Sequence, residues 1–296
     1  MSDHSTHETI RVTTNSVDLA VTAAGAGPAL ILLHGWPHTR HIWHRVLPDL
    51  AREHRVFAPD LRGFGDSSRP ADGYDAASIS GDILGLLDHF GLDRAALMAL
   101  DASVPAAALT ALRHPDRVDR LVVMESLLGN LPGAESFLAA GPPWWFGFHA
   151  VPGLAETVLP GHEAEYLDWF LDSGTVHADS VDPALRAHLH RAYTGASALR
   201  AGFGYYRALP RTAAQLAEAV ADTRLTVPTL ALGANAVGPA LYRQLLPITD
   251  HLAGQQIPDC GHIVPLDRPD ALLDAAVPFL AGDHPADTPA AARTNS

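Results

Sequence analysis

The sequence predicts an α/β protein, a mostly parallel sheet flanked by helices and interrupted by one helical insertion. Three observations carry that expectation. Short apolar runs of strand length recur at residues 29–33, 95–100, 121–124 and 227–233, as in strands buried on both faces. Stretches with apolar residues at helical spacing alternate with them. The alternation stops near residue 126 and resumes near 223, with helical patterns and Pro/Gly breaks between.

The elements follow in order. Residues 10–23 read as two short strands around the turn Asn15-Ser16, and 25–28 as a loop. Ala29–Leu33 is a buried strand ending in His34-Gly-Trp-Pro-His38. Residues 42–53 read as a helix. Arg55–Pro59 is a strand ending in Asp60-Leu-Arg-Gly-Phe-Gly-Asp-Ser-Ser68. Residues 76–90 carry a helical stripe at Ile79, Ile83, Leu86, Leu87 and Phe90. The strand Ala95–Leu100 and an Ala-rich helix come next, then a strand at 121–124. The aromatic residues concentrate between 144 and 206. After the strand at 227–233 we expect a helix at 239–246, a strand near 252–257, the loop Asp259-Cys-Gly-His-Ile263, and a helix at 269–281. The expected domains are a core of 1–126 with 223–282, a helical domain of 127–222, and a disordered Pro/Ala/Thr-rich tail of 283–296.

Composition sets the bounds. The chain has 296 residues, 47% apolar and 18% charged, which suits a globular protein with a sizeable core. A net charge of −13 argues against nucleic acid and anionic membrane surfaces as partners. Cys260 is the single cysteine, so no disulfide framework or cysteine zinc site is expected. The 17 histidines show no HExxH spacing, and no metal or organic cofactor is expected. Residues 1–9 lack the basic start and apolar core of a signal peptide, and no apolar run reaches membrane-spanning length. The expectation is a cytoplasmic protein, monomer or homodimer.

The chemistry centres on Ala99-Leu-Asp101-Ala-Ser103, between the apolar strand and the Ala-rich helix. A sharp strand-to-helix turn needs small flanking residues and presents its central side chain beside a helix N-terminus. A carboxylate there is either a helix cap or a nucleophile. Ser103, the rival nucleophile, would need small residues at 101 and 105 and has Asp and Pro.

Four motifs in this order resemble the α/β-hydrolase fold family with a helical cap. They are His34-Gly-Trp-Pro37, Asp60-Leu-Arg-Gly-Phe-Gly-Asp-Ser67, the turn at Asp101, and Arg113-His-Pro-Asp-Arg-Val118 after its helix; Asp259-Cys-Gly-His262 further resembles the family's histidine loop. The resemblance covers roughly residues 10–282. An Asp at the turn resembles the epoxide hydrolases and the haloalkane and haloacetate dehalogenases; esterases and lipases have Ser there.

The resemblance implies roles for particular residues. Asp101 would attack carbon and form an ester. His262 would activate the water that cleaves it. The acid that orients the base follows the seventh strand in many relatives. Here Leu232–Gly238 has no Asp or Glu, and Asn235 is the nearest polar group; Glu125, after the sixth strand, occupies the alternative position. Backbone N–H groups of Trp36 and Ala102 would form the oxyanion hole, with a cis peptide expected between Trp36 and Pro37.

Tyr206, in Gly204-Tyr-Tyr-Arg207, resembles the cap tyrosine that epoxide hydrolases use as acid, and the adjacent Tyr205 could exchange roles with it. Trp145 stands where relatives often carry His; Trp144 and Trp145 would wall an apolar pocket, and His149 would supply a second donor. The Trp pair with a cap Tyr resembles epoxide hydrolases of aromatic polyketide biosynthesis. Fluoroacetate dehalogenases carry Arg one and four positions after the nucleophile, where this chain has Ala102 and Pro105. Haloalkane dehalogenases usually carry Trp in the first of those positions. The reading is therefore an epoxide hydrolase acting on a small neutral or apolar epoxide. A haloalkane or haloacetate dehalogenase is the alternative, with a non-hydrolytic ligand-binding protein of the same fold as the third.

Overall fold

The computed structural model describes residues 8–283. The N-terminal stretch read for a signal peptide and the C-terminal tail fall outside them, apart from Glu8, Thr9 and Asp283.

The chain opens with a hairpin of β1 (Glu8–Thr14) and β2 (Val17–Ala24). Its two turn residues, Asn15 and Ser16, both take positive φ, the geometry that matches strand twist in a two-residue turn. β3 (Ala29–Leu33) leads to a 3₁₀ turn at Arg40–Trp43 and the short helix α1 (Leu47–Leu50). The helix expected over 42–53 is thus broken. Pro48 occupies its first turn; proline can begin a helix but cannot donate within one. β4 (Arg55–Pro59), α2 (Ala76–His89), β5 (Ala95–Leu100), α3 (Val104–Arg113) and β6 (Val118–Met124) follow.

Between β6 and β7 (Thr229–Gly233) run six helices among the described residues. They are α4 (Trp144–Ala150), α5 (Leu154–Val158), α6 (Glu163–Ser173), α7 (Pro183–Tyr193), α8 (Ala196–Arg207) and α9 (Leu209–Asp222). The chain closes with α10 (Ala240–Leu245), β8 (Leu252–Gln256), α11 (Val264–Asp267) and α12 (Pro269–Ala281).

The eight strands form one sheet in the order β1-β2-β4-β3-β5-β6-β7-β8. The pairs β1–β2 and β2–β4 are antiparallel and the rest are parallel. β5 is central and all six of its residues are buried. Its alternate side chains feed two apolar layers: Leu97 and Ala99 pack with Leu86 and Leu109, and Met98 and Leu100 with Trp43 and Phe279. This is why the run reads as continuously apolar. α9 returns the insertion to the core, where Thr212 and Gln215 bond Ala76 and Asp75 at the start of α2. Among the described residues no helix is long and apolar enough to cross a membrane.

Candidate active site

At the end of β5 the chain turns at Asp101 with φ 56°. A non-glycine residue holds that strained conformation only when its surroundings impose it. Ser103 braces the turn, its buried hydroxyl donating to the carbonyls of Leu33 and Leu100, both at 2.9 Å. That hydroxyl is used internally, which removes Ser103 as a rival nucleophile.

The loop after β3 closes on Asp101. A Cβ on Gly35 would lie 2.3 Å from Asp101 Oδ1 and 2.8 Å from Ala102 N, so the approach requires glycine. The Trp36 N–H donates to Asp101 Oδ1 at 2.8 Å, and the Trp36–Pro37 peptide is cis. His34 pins the loop through Gly35 O at 2.8 Å and through the Leu61 N–H at 3.1 Å.

His262 sits between two carboxylates. Its Nε2 is 3.3 Å from Asp101 Oδ2 and its Nδ1 is 3.4 Å from Glu125 Oε2. Glu125 ends β6 with φ 49° and is fully buried. The N–H groups of Ala234 and Val237, in the loop after β7, donate to its two oxygens. The side chains of Asp101 and His262 keep 24% and 21% exposure, so the pair is open to a small molecule.

Burial alone would lower the His262 pKa. The hydrogen bonds to Asp101 and Glu125 and their charges raise it to about 10. Burial alone would raise Asp101; the bond and charge of His262 and the Trp36 N–H hold it below the usual carboxylate range. An ion pair at neutral pH results. His38 is also fully buried, with no partner for either ring nitrogen among the described residues, and burial pushes its pKa down to about 3.

The insertion packs its aromatics on the Trp36 indole. Phe170 meets it edge-on at 4.6 Å, His149 at 4.7 Å and Tyr206 at 5.6 Å, with Phe203 at 6.0 Å. The Tyr206 hydroxyl has a pKa well above its ordinary value, through burial, the Asp101 charge and Tyr166.

Four sequence expectations change. Tyr205 and Tyr206 do not share one position: successive helical residues point about 100° apart. Tyr205 stacks on Phe64 and donates to Arg62 O at 2.9 Å, away from Trp36. Trp144 does not wall the site. It is 55% exposed and borders an outer groove of about 350 Å³ with Leu159, His162, Glu165, Tyr166 and Trp169. α4 begins at Trp144, and the inward face of that helix carries Trp145 and His149, four residues apart. Trp145 packs on Phe170 at 5.5 Å, and Phe170 in turn meets Trp36. His149 is not an open donor: Nε2 is bonded to the Tyr166 hydroxyl at 2.7 Å, and Nδ1 is enclosed without a partner among the described residues. Its ring stacks on Phe203 at 4.1 Å.

Gly35, Phe170 and the main-chain donors at 234 and 237 carried no assigned role in the sequence. The spacing Tyr166–Phe170 on one helical face was the available signal for Phe170. The backbone donors leave none. Among the described residues no group of three or more His, Cys, Asp or Glu could hold a metal ion.

A family model described as alpha/beta hydrolase fold matches residues 28–168. The crystal structure of wild-type Cfl2 from Burkholderia cenocepacia superposes with a TM-score of 0.83 at 32% identity, covering 93% of this chain and 95% of that one. The chain belongs to the α/β-hydrolase fold family. This hydrolase is 29% identical over 290 residues to the soluble epoxide hydrolase of Corynebacterium sp. (strain C12), covering 95% of this chain and 99% of that one. It is 31% identical over 205 residues to a fluoroacetate dehalogenase of Burkholderia sp., covering 67% of each. It lies in the epoxide hydrolase and dehalogenase branch of the family.

Proposed function

We propose that this hydrolase opens an epoxide to a vicinal diol through an ester on Asp101. A carboxylate oxygen of Asp101 attacks a ring carbon. The carbon–oxygen bond breaks, and the ring oxygen takes the electron pair and the proton of Tyr206. Burial and the Asp101 charge keep that hydroxyl protonated until the ring opens. The ester removes the Asp101 charge, so His262 loses one of its two supporting carboxylates and releases its proton, which restores Tyr206.

Neutral His262, oriented by Glu125, then takes a proton from water, and the oxygen attacks the ester carbonyl. The N–H groups of Trp36 and Ala102 hold the oxyanion. Collapse breaks the bond between the carbonyl carbon and the diol oxygen, that oxygen takes the carboxyl proton, and Asp101 returns to its carboxylate beside protonated His262. The helical insertion acts as a cap whose aromatic underside suits a neutral or apolar epoxide.

One observation carries this reading: a carboxylate stands at the turn, 3.3 Å from an imidazole that is itself 3.4 Å from a second carboxylate. Attack at an sp³ carbon calls for that nucleophile. Ala102 and Pro105 weaken the dehalogenase reading, because no arginine or tryptophan follows Asp101 to hold a carboxylate or halide.

The test is a single turnover with aryl and alkyl epoxides in heavy-oxygen water, with enzyme in excess. Unlabelled diol with label entering the Asp101 peptide is the expected result. Labelled diol in the first turnover would mean direct attack by water. Halide release from haloalkanes or haloacids, without diol from any epoxide, would move the protein to the dehalogenases.

A further inference from the structure

We propose that Asp267 is a positioning residue that ties the His262 loop to the helical insertion, so that His262 is aligned with the Asp101 ester only while the insertion is seated. The inference rests on the roles of Asp101 and His262 given above.

Asp267 ends α11 and is 5% exposed. Its Oδ2 accepts the Gly261 N–H at 2.6 Å, the residue directly before His262. The same carboxylate accepts the Val176 N–H at 2.9 Å and the His177 N–H at 3.0 Å. The Ser180 hydroxyl donates to it as well. Residues 176, 177 and 180 form the linker between α6 and α7, inside the insertion. An ionised carboxylate only accepts and has about four lone-pair sites; four donors occupy it, one from the base loop and three from the linker. Burial would raise its pKa, and these donors together hold it below the usual range.

The other flank of His262 is held by the same linker. The Ile263 N–H donates to Gly174 O at 3.0 Å, and a Cβ on Gly261 would stand 2.4 Å from that oxygen. Arg45 adds a second clasp, donating to Leu266 O at 2.8 Å and to Asp179 O at 2.7 Å. α6 therefore ends on the base loop, while its Phe170 presses Trp36 at 4.6 Å. Ring opening uses Asp101 and Tyr206, and only ester hydrolysis uses His262 as a base. Loosening Asp267 should therefore act on the second step.

The experiment follows Asp267→Asn in the full chain through one turnover of styrene oxide, with quenched samples read by mass spectrometry of the Asp101 peptide. Asparagine keeps the size but turns an NH₂ toward donors. Ester formation should stay within about twofold of wild type, while its decay slows about tenfold or more. Added imidazole should restore part of the decay. Unchanged decay, or an equal fall in both steps, would overturn the proposal.

Ser180→Ala removes one donor on the insertion side and leaves Gly261 untouched. It should slow decay alone, by roughly two- to threefold, and no change in decay would break the proposed link to the insertion. A titration of His262 by NMR gives a readout independent of turnover. Asp267→Asn should lower its pKa from about 10 as the ring leaves its carboxylates; an unmoved value would overturn the positioning role. If wild type forms no ester with any probe, the Asp101 reading fails, and this titration still decides Asp267.

Discussion

Glu125 Oε2 lies 3.4 Å from His262 Nδ1, while both Glu125 oxygens accept backbone N–H groups from Ala234 and Val237. Glu125 therefore stands directly after β6, beside the strand that leads into Asp101. It is fixed by the loop after β7, where many members of the family place the acid itself. Two backbone donors and one imidazole give both oxygens of this buried carboxylate partners, without which its burial would be costly.

Glu125→Gln should slow ester hydrolysis more than ester formation, because only the former uses His262 as a base. The amide can accept at one atom only, so one loop N–H loses its partner, at about 1–3 kcal/mol of stability. Single-turnover kinetics and urea unfolding of the same preparation check both parts. Equal loss in the two steps would place Glu125 outside the proposed role.

Asp101→Asn should abolish turnover with the fold intact. It also removes one of the two negative charges beside His262. The His262 pKa should then fall from about 10 toward its ordinary 6.5, so the ring becomes largely neutral above that range. Proton NMR titration of the ring reads this directly, and a pKa that stays near 10 would mean Glu125 alone sets it.

Tyr206→Phe should cut ester formation by about 10²- to 10⁴-fold, the range for loss of a general acid, with little change in ester decay. Tyr205→Phe removes only the bond to Arg62 O. It should lower stability by about 1 kcal/mol and leave ester formation near wild type. The reverse pattern would exchange the two tyrosines.

Acid should unfold this protein early. His38 and His149 are fully buried and held neutral, with pKa values near 3 against an ordinary 6.5. The unfolded chain binds these protons first as pH falls below 6.5. Stability is thus present above that value and is lost below it, by up to about 1.4 kcal/mol per pH unit for each ring. His262 works in the opposite sense: its raised pKa favours the fold below 6.5, and that contribution fades as pH rises through about 10. Denaturant melts between pH 4 and 6.5, compared with His149→Phe, should show a shallower slope in the variant.

The fold was legible because β3, β5 and β7 are buried on both faces, which leaves apolar runs bounded by turns. Asp101 was legible for the same reason, as a charge that ends such a run between small residues. The insertion was harder. Its helices share a mixed aromatic surface, and sequence alone does not say which ring turns inward. Trp144 and Tyr205 were misplaced by one helical position each, since neighbours on a helix face different ways. Apolar spacing runs unbroken through 42–53, but Pro48 starts a separate short helix there. Asp267 is invisible to periodicity, because its partners in the insertion lie about 90 residues away in the chain.

The loop after β7 serves Glu125 with main-chain groups alone, and Asn235 and Ala236 turn their side chains to solvent. Any residue with an N–H and a tolerable backbone conformation could supply those donors. Selection for chemistry therefore has little hold on the letters at 235 and 236, and this short surface can drift or acquire new contacts while Asp101, Glu125 and His262 keep their arrangement.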